Sequence, residues 1–274
     1  MPQRRLVDNG DLGSLHTMSI TTSFSQKFHG PWRWVCVCAV MALTACGGGS
    51  ASDEVPSTLG NVVGAWKGNP GNQNSPVAAL ILSNGTYWAY YDNTAGTEAG
   101  FERGTARATG SSFWASAKAY PNRYTTSDVS ISAEMSNGAL NGSRTVGNTN
   151  PQSFALVRIP SADLVGQQVQ VSDLDGVWNS VTLSGNSATL EASNGVFWGL
   201  GGNNSCNFEG TLIPQSNGYA FDVNLTFESN CGQSTVGATG IAMLFKISST
   251  QKRLLMAVQN ADRSKGWLFS ATQP

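Results

Sequence analysis

Residues 219–227, YAFDVNLTF, alternate without a break: Tyr219, Phe221, Val223, Leu225 and Phe227 on one side, Ala220, Asp222, Asn224 and Thr226 on the other. A period of two puts one apolar and one wet face on an extended chain, as in a half-buried antiparallel strand. Asp128–Met135 repeats the pattern through Val129, Ile131, Ala133 and Met135, and no comparable helical stripe follows Cys46. The runs are punctuated by Ser-Asn-Gly at Ser83, Ser136, Ser193 and Ser216. A type I′ hairpin needs positive φ at both central residues, which Asn-Gly meets at least steric cost, so hairpins are expected at Asn84, Asn137, Asn194 and Asn217.

The alternation comes in two related halves. VVGAWKG (Val62–Gly68) matches LDGVWNS (Leu174–Ser180), SNGTYW (Ser83–Trp88) matches SNGVFW (Ser193–Trp198), and FERGT (Phe101–Thr105) matches FEGT (Phe208–Thr211), at offsets of 112, 110 and 107 residues. Three matches in one order indicate a duplicated domain, because the period is far too long for a solenoid repeat. Counting runs between turns predicts about eight short strands per half, starting near Val62, Val77, Thr86, Phe101, Ser112, Asp128, Ala139 and Gln152, then near Gly176, Ala188, Val196, Cys206, Gly218, Ala238, Arg253 and Gly266. The expected fold is all-β: two tandem small antiparallel barrels or sandwiches, over 61–160 and 161–274.

Ahead of them, Arg33 precedes the apolar run WVCVCAVMALTA (Trp34–Ala45), too short to span a bilayer but right for the core of a secretory signal. Asp8 and Asp11 are out of place before a signal, so Met18 is the expected initiator, with Lys27, His29 and Arg33 as the basic region. The run ends in LTAC (Leu43–Cys46), which resembles the bacterial lipobox. That resemblance implies a signal over residues 1–45, acylation of Cys46 as the mature N-terminus and membrane attachment through its lipid. Gly47 stands where lipoproteins kept in the inner membrane often carry aspartate, which implies the outer membrane. Residues 46–60, small and polar, read as a flexible tether.

Cleavage at Cys46 removes both histidines, His16 and His29. Ser-His-Asp and Cys-His arrangements and histidine-ligated zinc are then unavailable, so a non-catalytic protein without cofactor is expected. Cys206 and Cys231 remain in the body and, in an oxidising compartment, read as a disulfide rather than separate thiols. After Cys46 there are 12 Lys and Arg against 15 Asp and Glu, with no basic stripe, which argues against a nucleic-acid partner.

Gly64-Ala65-Trp66 and Gly176-Val177-Trp178 each open a half. They resemble the G-x-W of lipocalin and avidin-like barrels, which implies a tryptophan plug at one end and a ligand cavity. The layout also resembles surface lipoproteins of pathogenic Gram-negative bacteria that hang two small barrels from a glycine-rich tether and bind host proteins.

YWAYY (Tyr87–Tyr91) is aromatic on both faces, so the Trp88 and Tyr90 face either packs on the sister domain or forms a platform for a ligand or partner. Tyr120, Arg123 and Tyr124, in a polar loop near a barrel rim, are further candidates for a partner contact. Asp173 and Asp175 in SDLDG read as turn residues, without the remaining ligands of a calcium loop. Glu102 and Glu209, taken as equivalent positions of the duplication, read as strand-pairing residues rather than catalytic carboxylates. The expected function is binding: of an unidentified small apolar or glycan ligand, or of a protein partner.

Overall fold

A computed structural model describes residues 59–70, 77–92, 98–122, 124–160, 163–164, 168–183, 185–201, 206–216, 218–231 and 237–273. The signal, Cys46, most of the tether, Arg123 and Asn217 lie outside them.

Sixteen strands form two closed eight-stranded antiparallel barrels, each joined neighbour to neighbour in chain order. The N-terminal barrel comprises β1 (Gly64–Pro70), β2 (Val77–Ile81), β3 (Thr86–Asp92), β4 (Glu98–Thr109), β5 (Ser112–Tyr120), β6 (Ser127–Ser136), β7 (Ala139–Val146) and β8 (Gln152–Arg158). The C-terminal barrel comprises β9 (Gly176–Thr182), β10 (Ser187–Ser193), β11 (Val196–Gly201), β12 (Cys206–Pro214), β13 (Ala220–Phe227), β14 (Gly237–Lys246), β15 (Lys252–Asn260) and β16 (Gly266–Thr272). Every expected strand start falls within three residues of an observed one, and pairing of β1 with β8 and of β9 with β16 makes both sheets barrels, not sandwiches. Closure removes the sheet edges that these small-residue strands would otherwise expose.

The two openings are built alike. Trp66 and Trp178 are fully buried, and each donates its indole N–H to the carbonyl four residues earlier, Val62 O at 2.8 Å and Leu174 O at 2.7 Å. Arg158, paired with Trp66, lies over its ring at 4.6 Å and donates to Val63 O. In the C-terminal barrel the ladder Asn179 to Thr272 puts Gln273 opposite Trp178, and Gln273 donates to Asp175 O. The same end is thus closed twice by a tryptophan and a last-strand side chain.

The hairpins divide. Asn137 and Asn194 have φ of 52° and 53°, with Gly138 and Gly195 also positive, giving the expected two-residue turns between Ser136 and Ala139 and between Ser193 and Val196. At Asn84 only Gly85 is positive, and Gly85 N–H donates to Leu82 O, so this turn is one residue longer and not type I′.

Both barrels belong to one compact unit. The outer face of β2–β5 packs on that of β13–β16 through Leu80, Trp88, Tyr90, Phe101 and Tyr120 against Ala220, Ile241, Met243, Leu255, Ala257 and Leu268. A side chain at Gly266 would meet the Phe101 and Tyr120 rings at 2.6 Å, so a glycine there lets these stacked rings sit against the second barrel.

Candidate functional site

The barrel interiors differ. In the C-terminal barrel Trp178, Leu190, Phe197, Phe208, Phe221, Phe227, Trp267 and Phe269 fill the centre, with Phe227 and Trp267 rings 4.8 Å apart. The disulfide Cys206–Cys231 packs against the end opposite the Trp178 plug. In the N-terminal barrel the same wall carries Ala79, Ala89, Ala106, Ala115, Ala117 and Ala119, leaving a cavity of about 120 Å³. Its lining is mostly apolar, from Ala79, Ile81, Phe113, Ile131, Leu140 and Phe154, with Tyr87, Tyr91, Glu102, Arg144 and Gln152 as polar members.

The polar members converge. β4 alternates Glu102, Gly104, Ala106 and Ala108 inward with Arg103, Thr105 and Arg107 outward, so the Glu102 carboxylate, 1% exposed, points into the barrel. Arg144 projects inward from β7, and its Nε and Nη2 both reach Glu102 Oε1. The Tyr87 hydroxyl donates to Glu102 Oε2 at 3.2 Å, and the Arg144 guanidinium lies 5.3 Å from the Tyr91 ring centre. Gln152 is exposed at the start of β8, so the polar end of the cavity reaches the surface there.

Burial pushes the Glu102 carboxyl up, and the charge of Arg144 with the hydrogen bonds from Arg144 and Tyr87 opposes this only in part, so it stands above its ordinary value. Burial disfavours the Arg144 cation, but the Glu102 charge and hydrogen bond outweigh it and hold the guanidinium above its usual range. Tyr87 is pushed up by burial and then by the Glu102 charge, and Tyr91 likewise, so both are neutral near pH 7. One carboxylate oxygen keeps free acceptor capacity, and Arg144 Nη1 has only a 3.5 Å approach to Gln152, leaving it able to donate.

Register corrects the equivalence of Glu102 with Glu209. Trp88 pairs with Arg103 and Trp198 with Glu209, so Glu209 corresponds to Arg103 and faces outward. The counterpart of Glu102 is Phe208, which points inward. Shifting a strand by one residue exchanges its faces. Following the same ladders across β5, β6 and β7, Arg144 corresponds to Val258 and Gln152 to Trp267.

Trp88, Tyr90 and Tyr120 sit in the seam between the barrels, at most 4% exposed. The Tyr90 hydroxyl donates to Ile241 O at 3.3 Å, and that of Tyr120 donates to Gln259 Oε1 at 2.8 Å. Packing on the sister domain therefore accounts for the second aromatic face of YWAYY. Tyr124 is 67% exposed in a turn where Asn122 Oδ1 accepts the N–H groups of Tyr124 and Thr125. Asp173 Oδ2 accepts Gln170 N–H within a turn, and Asp175 Oδ1 accepts Asn194 N–H from the β10–β11 hairpin. Among the described residues no group of three or more His, Cys, Asp or Glu could hold a metal ion.

Of the predicted partner residues, Trp88, Tyr90, Tyr120 and Tyr124 do not line the cavity, whereas Tyr87 and Tyr91 on the other face of the same YWAYY strand do. A sequence signal for it existed: Glu102 stands in phase with Gly104, Ala106 and Ala108, and Arg144 in phase with Leu140 and Gly142, both on the apolar side of their strands.

No family model matches the chain, and no curated protein matches it. Solved structures to which it is similar at low identity include the following three. One is a Bacteroides fragilis NCTC 9343 protein assigned to the outer membrane, 12% identical, with 76% of this chain and 94% of that one covered and a TM-score of 0.23. Another is transferrin binding protein B of Haemophilus parasuis Hp5, 6% identical over 72% and 65%, TM-score 0.24. The third is a Nostoc punctiforme protein of unknown function, 13% identical over 77% and 95%, TM-score 0.25.

Proposed function

We propose that the chain is an outer-membrane lipoprotein, acylated at Cys46 and tethered through residue 60, whose N-terminal barrel is a non-catalytic binding module for a small neutral ligand. The ligand has an apolar, ring-sized body and one hydroxyl or carbonyl group. The observation that supports this reading is that one barrel of a duplicated pair keeps a cavity and a buried Glu-Arg-Tyr cluster where its sister holds Phe208, Val258 and Phe197. A buried ion pair is a poor way to stabilise a core, since well-packed apolar residues do as well or better. The sister barrel closes without one, so the fold does not require it.

The chemistry of the lining sets the ligand class. Glu102 and Arg144 neutralise each other, which disfavours a charged guest. Arg144 Nη1 can donate and Glu102 Oε2 can accept, which suits a hydroxyl. A dry cavity of about 150 Å³ holds benzene, so the volume here takes a ring of that scale or one end of a longer molecule. The lipid anchor and the domain limits 61–160 and 161–274 rest on the sequence.

Phenol, benzene and benzoate are suitable probes. Phenol should raise the melting temperature of the wild-type protein more than the other two, by the equivalent of about 2.7 kcal/mol at a hundred times its Kd. Ala79→Leu, which introduces the residue found at the matching position Leu190, should abolish the shift. Protein extracted from the bacterial envelope should carry an added mass in native mass spectrometry and begin at an acylated Cys46. Equal responses of wild type and A79L, with no retained mass, would sink the cavity reading; an unmodified Cys46 would remove the anchor.

A further inference from the structure

The duplicated tryptophans at the centre of the outer walls have opposite surroundings. Trp88 is 4% exposed in the seam, flanked across the sheet by Leu80 and Arg103, and the Arg103 guanidinium lies 5.6 Å from its ring centre. Trp198 occupies the matching position of the C-terminal barrel, 46% exposed, and its two cross-strand neighbours are Glu191 and Glu209, both exposed. In the N-terminal barrel the cation over the ring comes from the next strand. In the C-terminal barrel that strand supplies a carboxylate instead, and a second carboxylate stands on the other side.

From Ile159 to Phe245 the sequence contains seven acidic residues and no Lys, Arg or His. Lys67 and Lys252 reach this part of the chain from outside it, but they pair with Asp163 and Asp173, not with Glu191 or Glu209. Glu191, Trp198 and Glu209 lie in one row across β10, β11 and β12, and Val177 of β9, 44% exposed, extends the row by pairing with Glu191. An aromatic face between two carboxylates attracts a cation through the ring quadrupole and through charge, and an arginine side chain also has the flat apolar surface that stacks on indole. Neighbouring cross-strand side chains stand about 5 Å apart, so one guanidinium over Trp198 can reach either carboxylate.

We propose that the outer face of β9–β12 around Trp198 is a docking surface for an arginine-bearing segment of a protein partner. The contact supplies from outside what Arg103 supplies to Trp88 from within. An acid-only face repels anionic lipid and nucleic acid, and it offers a second copy of itself only like charge. The inference is independent of the cavity in the other barrel.

The test uses the folded protein and a short probe, acetyl-Gly-Arg-Gly-Arg-Gly-amide, monitored by the indole N–H signals in proton–nitrogen correlation spectra. Trp114 is the internal control: it is also 46% exposed, but Arg107 is its cross-strand neighbour. The Trp198 signal should move saturably with the probe while the Trp114 signal does not. Glu191→Gln combined with Glu209→Gln should weaken the response at least tenfold at low salt and leave the melting temperature unchanged, since both side chains are exposed. In intact cells, a benzophenone amino acid at position 198 of the full chain should crosslink to one protein species, and the double glutamine variant should lose that product. Equal movement of both tryptophan signals, no effect of removing the glutamates, or crosslinks only to lipid or to a second copy would each overturn the proposal.

Discussion

Where the N-terminal barrel holds the Glu102 carboxylate, the C-terminal barrel holds the Phe208 ring, and most other contrasts between them follow from that position. Phe208 fits because Gly199 faces it: a Cβ at 199 would lie 2.1 Å from the ring. The corresponding residue in the first barrel is Ala89, whose methyl group occupies that space. Phe208 then packs with Phe197, Phe227 and Phe269 at centroid distances of 5.2 to 6.5 Å. In the first barrel, Tyr87 takes the place of Phe197 and turns a hydroxyl to the carboxylate, while Ala119 takes the place of Phe227 and leaves the volume empty. The closing tryptophans are alike in both. Duplication has therefore kept the wall and its plug, one copy keeping a filled core and the other a hollow, polar one.

The largest way to break the comparison is to hollow the second barrel. Phe208→Ala should cost about 3 to 5 kcal/mol, the usual range for emptying a buried aromatic position, measured by denaturant unfolding. Position 258 holds valine rather than arginine, so the new space has no counterpart of the Glu102–Arg144 pair. Benzene should therefore recover part of the loss and phenol should do no better, whereas the native cavity of the first barrel should prefer phenol. A preference for phenol in the F208A cavity would mean that the Glu-Arg-Tyr cluster is not what discriminates.

A smaller effect is expected from making the first barrel apolar. Arg144→Leu alone leaves the Glu102 carboxylate buried without its partner and should cost about 3 kcal/mol, near the lower end for breaking a buried pair because the arginine side chain retains 19% exposure. Adding Glu102→Leu should recover that loss, giving a stability between that of the wild type and about 4 kcal/mol above it. Leucine is the better test residue here, since a ring at 102 would meet the Ala89 methyl group. If the double variant remains as unstable as the single one, the pair carries structural weight that Phe208 and Val258 do not explain.

These contrasts were unevenly legible in the sequence. Strand positions were readable because alternation and Asn-Gly turns are local: Thr86, Ser112, Ala139, Gln152, Gly176, Val196, Cys206 and Gly266 open strands at the residues expected. Closure was not, because the pairings of Trp66 with Arg158 and of Asn179 with Thr272 join the two ends of each half, and local pattern does not encode them. The second face of YWAYY announced either the sister domain or a ligand as its cover, and the cover is the sister barrel, through β13–β16. The site was hidden by one residue. FERGT and FEGT align most simply at Phe-Glu, but the ladders align Gly104 with Gly210, which places Glu102 inside and Glu209 outside. Phase with the alanines of its own strand, rather than likeness to the sister sequence, was the better guide to which way Glu102 faces.

The smallest expected effect is a slope with pH that one barrel has and the other lacks. Burial holds the native Glu102 carboxyl above its unfolded value, despite Arg144 and Tyr87. Between those two values the native protein binds more protons at this site than the unfolded chain, so unfolding free energy falls as pH rises through that window and levels off above the native value. This is the reverse of an exposed, salt-bridged carboxylate, which gains stability over the same rise. The E102L/R144L variant cancels the contributions of all other carboxylates when subtracted from wild type, because they are common to both. The difference in unfolding free energy between the two should therefore shift toward the variant as pH increases from the ordinary carboxylate range, and remain constant below it. A difference moving toward wild type would mean that Arg144 dominates burial and that the native carboxyl is held down, in which case the pair is a stabilising element of the barrel and the case for a dedicated ligand site weakens.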